Sequence, residues 1–248
     1  MAYTYKIHHL PASDPILLPF LAGKFASLRL SALTVSGPAF SSTFEIESIF
    51  TSSQWISRLQ RPLLHTFVAV AYAANTPPEL QTIDAGDWIG SATLLGPFTK
   101  DIFTIPESGG PEVGDDDVES KWQMTAVYNS PLHRGKGIAK MLIQSAMEFA
   151  SQEGKRKGSR VRIMIHPRNV LVKKLYEGLG FVDAGNCTLA EAYLSNGDAE
   201  MLPADGGASD PEKYHHKRNK ADGTYRQMKE LDNIRSQSIP FVFNYYIS

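Results

Sequence analysis

Cationic side chains flank and separate two glycines in the segment His133-Arg134-Gly135-Lys136-Gly137-Ile138-Ala139-Lys140. Glycine lets a backbone turn tightly and approach a ligand without a side chain in between. After the turn, apolar residues recur at spacings of three and four, which indicates one face of a helix: Ile138, Met141, Leu142, Ala146 and Phe149. The first N–H groups of a helix have no partner within it, and the helix dipole makes that end electropositive. The pattern therefore predicts an anion site that suits a phosphate or pyrophosphate.

An ordinary tight turn with charged surface residues remains an alternative if the glycines are considered alone. Two other phosphate-binding patterns do not fit the segment. A P-loop requires Ser or Thr directly after its lysine, and neither stands at that position here. The dinucleotide fingerprint requires a third glycine, and Lys140 occupies that position.

A strand is predicted directly before this turn and helix. Trp122–Tyr128 has the composition of a strand and ends in the turn residues Asn129-Ser130-Pro131. The predicted order is therefore strand, glycine turn, helix. Further along the chain stand Arg160–His166 and a segment from Asn169 to Phe181.

These segments resemble the GCN5-related N-acetyltransferase (GNAT) family. Arg134–Ala139 fits the family's acyl-CoA signature, Arg/Gln-x-x-Gly-x-Gly/Ala, with Arg134, Gly137 and Ala139 at the defined positions. The later segment is similar to the family's fifth strand and following helix, whose Asn, Leu-Tyr and Gly-Phe stand at the spacings of Asn169, Leu175-Tyr176 and Gly180-Phe181. Two motifs in the right order and separation make a chance match improbable.

The resemblance implies an α/β fold of the GNAT type, with a central, twisted, mostly antiparallel mixed sheet of about seven strands flanked by helices. We expect the GNAT domain at residues 1–205, with its CoA-binding core at 121–182. Residues 206–248 form a charged extension that ends in an additional strand at Ile239–Ile247, expected at an edge of the sheet in its own subunit or in a partner's.

Local patterns predict further elements along the chain. A helix is expected from Asp14 to about Leu33, and a second one, capped by Ser42 or Thr43, is expected to reach Leu59. Gly96–Ser120 is expected to be a long loop, either a solvated connector or an acidic lip that attracts a cationic amine. The remaining predicted elements are strands at His65–Ala74, Asp87–Leu95, Leu189–Leu194 and, in part, Asp198–Leu202.

By resemblance, the cosubstrate is acetyl-CoA and no metal takes part. The backbone around Thr125 and Val127 would bind the acyl carbonyl and the pantetheine arm, and fixed N–H dipoles there would stabilise the oxyanion. Asn169 would contact the cofactor from the other side of the cleft. The pyrophosphate would lie on the turn formed by Arg134, Gly135, Lys136, Gly137, Ile138, Ala139 and Lys140.

Tyr176 is the predicted general acid. A phenol with a pKa near 10 can donate a proton to a departing thiolate within hydrogen-bond reach, and the family's usual acid is a tyrosine at this position. The alternative is that Tyr176 only packs, because it shares a helix face with Val172 and Leu179.

The general base departs from the family's pattern, in which Glu or His often stands on the strand before the glycine turn. Lys121 and Gln123 occupy the inward positions of that strand here, so Glu119, just upstream, is the predicted base, acting directly or through water. His65 and His166 are further candidates. An acceptor amine of low pKa would lessen the need for a base.

Composition narrows the class of function. Twenty-five basic and twenty-six acidic residues give no overall attraction to nucleic acid or to a membrane. The N-terminus lacks the pattern of a secretion signal, and Cys187 as the only cysteine excludes an intrachain disulfide, so we expect a cytoplasmic protein. The charged segment Lys213–Lys220 is expected to be solvated rather than to bind nucleic acid or metal.

The leading hypothesis is therefore an acetyl-CoA-dependent N-acetyltransferase that acts on the primary amine of a small molecule by direct attack on the thioester. A peptide or protein amine is the nearest alternative acceptor. A protein that binds CoA as a sensor or assembly module, without turnover, is the alternative from another class. The sequence leaves open whether the chain forms a homodimer.

Overall fold

The computed structural model describes residues 2–40, 42–106, 108–154, 158–165, 169–199, 202 and 204–205, and the backbone of 241–247. Within these residues the strands are β1 (Tyr3–His9), β2 (Leu64–Ala73), β3 (Asp87–Phe98), β4 (Glu119–Asn129), β5 (Gly158–Ile165), β6 (Val182–Asn186) and β7 (Phe241–Ile247). The α-helices are α1 (Leu18–Ser36), α2 (Phe44–Glu47), α3 (Ser52–Leu59), α4 (Lys100–Phe103), α5 (Ile138–Gly154), α6 (Val170–Glu177) and α7 (Leu189–Asn196).

All seven strands form one sheet in the order β1-β2-β3-β4-β5-β7-β6. Every neighbouring pair is antiparallel except β4 and β5, which run parallel. The expected mixed, mostly antiparallel sheet flanked by helices is confirmed.

The sequence led us to expect the C-terminal strand at an edge of the sheet, and this expectation is wrong. β7 lies between β5 and β6 and pairs antiparallel with both. The sixth strand is Val182–Asn186, and the predicted strand at Leu189–Leu194 is wrong because those residues form α7. The described residues of the predicted strand Asp198–Leu202 are not in a strand either. The charged segment Lys213–Lys220 lies outside the described residues.

One face of the sheet packs against α5 and α6. The apolar spacing predicted for α5 is confirmed, since Ile138, Leu142 and Ala146 are fully buried in a cluster with residues of β2 to β5. Tyr176 of α6 and Phe181 join the same cluster. This face therefore fixes the start of α5, and with it the glycine turn, against the sheet.

The opposite face packs against α1 and α3 in its N-terminal half, through Leu21, Phe25, Trp55 and other apolar residues. The single helix that we predicted from Ser42 or Thr43 to Leu59 is two helices. Thr43 caps α2, and Thr51 starts α3 with a capping box, because its hydroxyl accepts the N–H of Gln54 while the Gln54 side chain accepts the N–H of Thr51. A new N-cap interrupts the apolar periodicity that had suggested one element.

A buried ion cluster joins α1, α2 and α3. Nε and Nη2 of Arg29 both donate to the carboxylate of Glu47, with the shortest distance 2.7 Å, and Arg58 approaches the other oxygen at 3.2 Å. Burial acts to raise the pKa of Glu47, but the bonds from Arg29 and the charge of Arg58 outweigh it and leave the pKa below its ordinary value. The carboxylate is thus ionised and paired in the folded state.

No helix among the described residues is long and apolar enough to cross a bilayer.

We expect Glu47→Ala to lower the free energy of unfolding by about 3–5 kcal/mol, because two arginines would lose their carboxylate in a buried position. Glu45→Ala, at an exposed position of the same helix, should leave the free energy of unfolding nearly unchanged. Since the folded-state pKa of Glu47 is lowered, its contribution is present above the unfolded-state pKa of about 4.3 and is lost as the pH falls. The measurement is chemical denaturation at several pH values. A gap between wild type and Glu47→Ala that did not shrink in acid would contradict the ion-pair assignment.

Candidate active site

The parallel strands β4 and β5 separate part-way along their length. Their pairing runs from Glu119 opposite Gly158 to Met124 opposite Ile163, and within the described residues it goes no further. Beyond that point β4 stays paired with β3, and β5 stays paired with β7 as far as Ile165. The two strands therefore part after Met124 within the described residues, and we call the space between them the gap.

A bulge in β4 lies at the mouth of this gap. Thr93 faces Thr125 and Ser91 faces Tyr128, so two residues of β4, Ala126 and Val127, stand opposite one residue of β3. Ala126 has φ +52°, in the left-handed region that a non-glycine residue enters at a cost of about 1–2 kcal/mol.

The bulge reverses which side chains point to which face of the sheet. Before it, Trp122 and Met124 pack into the cluster beneath α5; after it, Tyr128 packs against Leu28 and Ala32 of α1 on the other face. Thr125, Ala126 and Val127 are half-buried, whereas the four preceding residues of the strand are buried. The strand therefore becomes accessible where the gap opens.

The glycine turn follows β4 directly. Gly135 and Gly137 have φ +72° and +76°, and a Cβ at either position would meet nothing within 4 Å. Glycine is thus required by the backbone conformation rather than by crowding, and the space in front of the turn is open. The N–H of Met141 donates to the carbonyl of Gly137 at 3.0 Å and closes the first turn of α5.

The side chains of the turn divide between anchoring and exposure. Ile138 is fully buried in the core, so only its backbone can face a ligand, and Ala139 is half-buried. Arg134, Lys136 and Lys140 are exposed. An electropositive helix start with exposed cations around it is a suitable site for a pyrophosphate.

Comparison with known proteins agrees with this geometry. Residues 83–181 match the model of the acetyltransferase (GNAT) family. This segment is a GNAT acetyltransferase domain. It includes β4, the bulge, the glycine turn, α5, β5 and α6, that is, all the elements that line the gap. The sequence matches none of the curated proteins.

Solved structures with the same fold extend over nearly the whole chain. An N-acetyltransferase from Staphylococcus aureus Mu50 is 16% identical with a TM-score of 0.51, and the match covers 98% of each chain. A GNAT-family acetyltransferase from Streptococcus pneumoniae is 14% identical with a TM-score of 0.52, covering 99% of this chain and 100% of the other. At these identities the likeness establishes the fold alone.

The helix opposite the glycine turn in the GNAT domain begins at Asn169. Its side-chain oxygen accepts the N–H of Val172 at 3.3 Å, which makes Asn169 the N-cap of α6. The capping role accounts for an asparagine at this position without a ligand, so its predicted contact with the cofactor stays a prediction.

Tyr176 lies deep in the packing between α6 and the sheet. It is 2% exposed, and its ring meets that of Phe181 edge-on at 5.1 Å between centroids. Burial raises the pKa of the phenol, so the side chain stays protonated across the physiological range. The Tyr176 side chain is thus both packed in the core and protonated. Its role as the general acid stays a prediction.

The structure does not bring Glu119 to the gap. Glu119 stands at the start of β4, six residues before Thr125, which corresponds to about 20 Å along a strand. Its Oε1 accepts the N–H of Gly114 at 2.7 Å and Nε of Arg160 at 2.9 Å. A carboxylate that is engaged in this way, far from the reacting centre, is a structural group, and we no longer assign it as the base.

The other candidate bases are also engaged. Nζ of Lys121 donates to Asp116 at 2.8 Å and to the carbonyl of Glu119 at 2.9 Å. His65 packs on Phe149 at 4.4 Å between ring centroids, and burial lowers its pKa. His166 lies outside the described residues.

Below the gap, on the face opposite α5, β4 and β5 carry a row of buried polar residues, which we call the buried polar layer: Glu119, Lys121, Gln123, Arg160 and Arg162. Residues 99–106 and 108–118, which include α4, cover it. Arg160 donates to the carbonyl of Glu112 at 3.0 Å, and Arg162 to that of Phe103 at 2.6 Å. The carbonyl of Ser108 accepts the N–H of Asn186 at 2.9 Å, which ties the cover to β6.

Two carboxylates of the acidic run Asp115–Asp117, which belongs to this cover, form ion pairs within the chain. Asp115 pairs with Lys100 and Asp116 with Lys121, both at 2.8 Å. The segment is therefore a folded cover with a short helix rather than the long loop that we expected.

Sequence reasoning missed two features of the site. The bulge at Ala126 leaves no mark in the residue types, because alanine is unremarkable in a strand. Arg162 did leave a signal, since Arg160 and Arg162 alternate with Val161 and Ile163 and so place two cations on one face of a strand.

The bulge yields a test with a matched pair of variants. Ala126→Gly keeps the left-handed conformation without strain, so we expect unchanged binding of acetyl-CoA in a calorimetric titration. Ala126→Val should weaken binding by about tenfold or more and lower stability, because a β-branched residue opposes positive φ. Equal affinities for the two variants would show that the bulge does not shape the cofactor site.

Proposed function

We propose that the protein transfers an acetyl group from acetyl-CoA to the primary amine of a small molecule by direct attack on the thioester. The observation that carries this proposal is the parting of β4 and β5 beside an electropositive glycine turn, within a GNAT domain. Acetyl-CoA held in the gap would place its pyrophosphate at the glycine turn and its thioester carbonyl against the bulged backbone of β4.

In the proposed reaction the amine nitrogen attacks the acetyl carbon, and the carbonyl oxygen becomes an oxyanion. The unpaired backbone around Thr125 and Val127 supplies fixed N–H dipoles for that charge. The C–S bond then breaks, the departing thiolate takes the proton of Tyr176, and the phenolate regains a proton from solvent before the next turnover. We assign the proton released by the amine to solvent, because Lys121 and Glu119 are engaged elsewhere in the fold.

The two substrates would approach from opposite faces of the sheet. The glycine turn lies on the face that packs against α5, so the cofactor occupies that side of the gap. The amine must then come from the other face, where residues 99–106 and 108–118 cover the lower part of β4 and β5. A covered approach favours a small acceptor over an extended peptide, which remains the second candidate.

The first test titrates acetyl-CoA into the wild type and into Gly137→Asp. Aspartate would add a negative charge and a side chain in the open space before the turn and would strain a backbone at φ +76°, so we expect binding to be lost, by about a hundredfold or more. The matched control is Gly23→Asp, since Gly23 in α1 also has open space around it and lies away from the turn. Absence of binding in the wild type would end the enzyme proposal. Binding by Gly137→Asp at wild-type affinity would show that the pyrophosphate does not bind at the glycine turn.

The second test separates an enzyme from a CoA-binding sensor. We expect Tyr176→Phe to lower kcat by about 10²- to 10⁴-fold while acetyl-CoA affinity stays unchanged, because the phenol acts only on the leaving group. Tyr72→Phe is the control. Tyr72, in β2, is as buried as Tyr176, and its hydroxyl donates to the carbonyl of Thr82 at 2.6 Å. It should lose about 1 kcal/mol of stability and no activity. Full activity in Tyr176→Phe would leave the tyrosine a packing residue only.

A further inference from the structure

Arg162 occupies a particular position in the buried polar layer. Its Cα stands opposite that of Gln123, directly before Ile163, which is the last residue of β5 paired with β4 in the described structure. Val161 and Ile163 point to the face of α5, so Arg162 points to the opposite face. The side chain is 4% exposed. It therefore lies at the closed end of the gap, on the side from which we expect the amine.

Two of the three guanidinium nitrogens of Arg162 are bound. Nε donates to the side-chain oxygen of Gln123 at 2.6 Å, and Nη1 donates to the carbonyl of Phe103 at 2.6 Å. Cζ of Arg162 lies over the Phe103 ring, 4.0 Å from its centroid. These contacts hold the plane of the guanidinium in place. Nη2 is buried and has no hydrogen-bond partner among the described residues.

Arg162 differs from the neighbouring cations of the buried polar layer in that its hydrogen-bond partners are neutral. In the same layer Arg160 pairs with Glu119, and Lys121 pairs with Asp116. The two bound oxygens of Arg162 are neutral, one from an amide and one from the backbone. Burial lowers the pKa of Arg162 to about 10, the direction expected for a cation without a carboxylate beside it. A buried charge without a counter-ion is costly to keep.

We propose that Nη2 of Arg162 binds a carboxylate of the acceptor, so that the acceptor is a small aminocarboxylic acid. This inference rests on the proposed acetyl transfer and adds the class of amine. A carboxylate would supply the missing hydrogen bond and the missing counter-charge together. Thr125 lies two residues beyond Gln123, or about 7 Å along the strand, so a short molecule could place its carboxylate at Arg162 and its amine at the acyl carbonyl.

The test compares short ω-amino acids with their carboxamides as acceptors, by release of CoA thiol. In the wild type we expect kcat/KM for the acids to exceed that for the carboxamides by about tenfold or more, the size of a charge-assisted hydrogen bond. In Arg162→Met the two classes should become equal, with the loss seen in KM and the affinity for acetyl-CoA unchanged. Arg162→Lys keeps the charge without the planar group and should give an intermediate preference.

Arg58→Met is the control, because it removes a half-buried, ion-paired arginine from α3, which contains none of the residues of β4 and β5. It should lose stability and keep the preference for acids. A wild type that shows no preference, or an Arg162 variant that keeps the full preference, would overturn the carboxylate assignment even if both acetylate amines. Failure of the wild type to bind acetyl-CoA or to acetylate any amine would instead reject the proposed function on which the assignment depends.

Discussion

The arrangement of the site depends on the fact that β4 and β5 each keep an outer partner where they part from each other. β4 remains hydrogen-bonded to β3, and β5 to β7, so neither strand frays at the gap. The described backbone groups that face the gap are therefore held in fixed positions. A polar backbone group away from water is costly unless it is paired, and a gap of this kind persists because something else can pair with it. A substrate carbonyl and the amides of a pantetheine arm have the groups required.

The bulge and the glycine turn depend on this same separation. The bulge at Ala126 lets the far end of β4 pack against α1 while its near end packs beneath α5, so that one strand contributes to both layers of the core. The glycine turn then starts α5 directly over the gap. Three local departures from regular structure, in series along about a dozen residues, produce a site that no regular strand or helix would provide.

The sequence predicted the elements whose signals are local and failed where the deciding contact is distant. α5 and its turn follow from apolar spacing and from glycine, and both are confirmed. α7 is an exception, because the strand predicted at Leu189–Leu194 is wrong although the helix signals are local: Thr188 and Glu191 form a capping box, and Gly197 ends the helix in a left-handed conformation. The place of β7 between β5 and β6 could not be read locally, because its pairing partners lie far away in the sequence.

The residues of the site show the same contrast between local sequence signals and distant contacts. Residue types alone predict the segment from Arg134 to Lys140, whereas the distance of Glu119 from the gap depends on where the gap begins, which residue types do not show. Counting back along a strand gives the face of a side chain, and only the register with β5 shows that the gap opens after Met124. The role of Arg162 likewise depends on which nitrogens find partners, and that is a property of the folded cover rather than of the strand.

The burial of Tyr176 bears on how a packed residue can also be an acid. Desolvation raises the pKa of a phenol because the phenolate loses its hydration, and by itself that makes the tyrosine a weaker acid. In the proposed reaction the departing thiolate would form beside the same dry interior, and burial would raise its pKa for the same reason. Proton transfer depends on the difference between the two pKa values, which a shared environment changes less than either value. Packing against Phe181 is therefore compatible with the proposed donation to a thiolate, and burial would keep the phenol protonated until the C–S bond breaks.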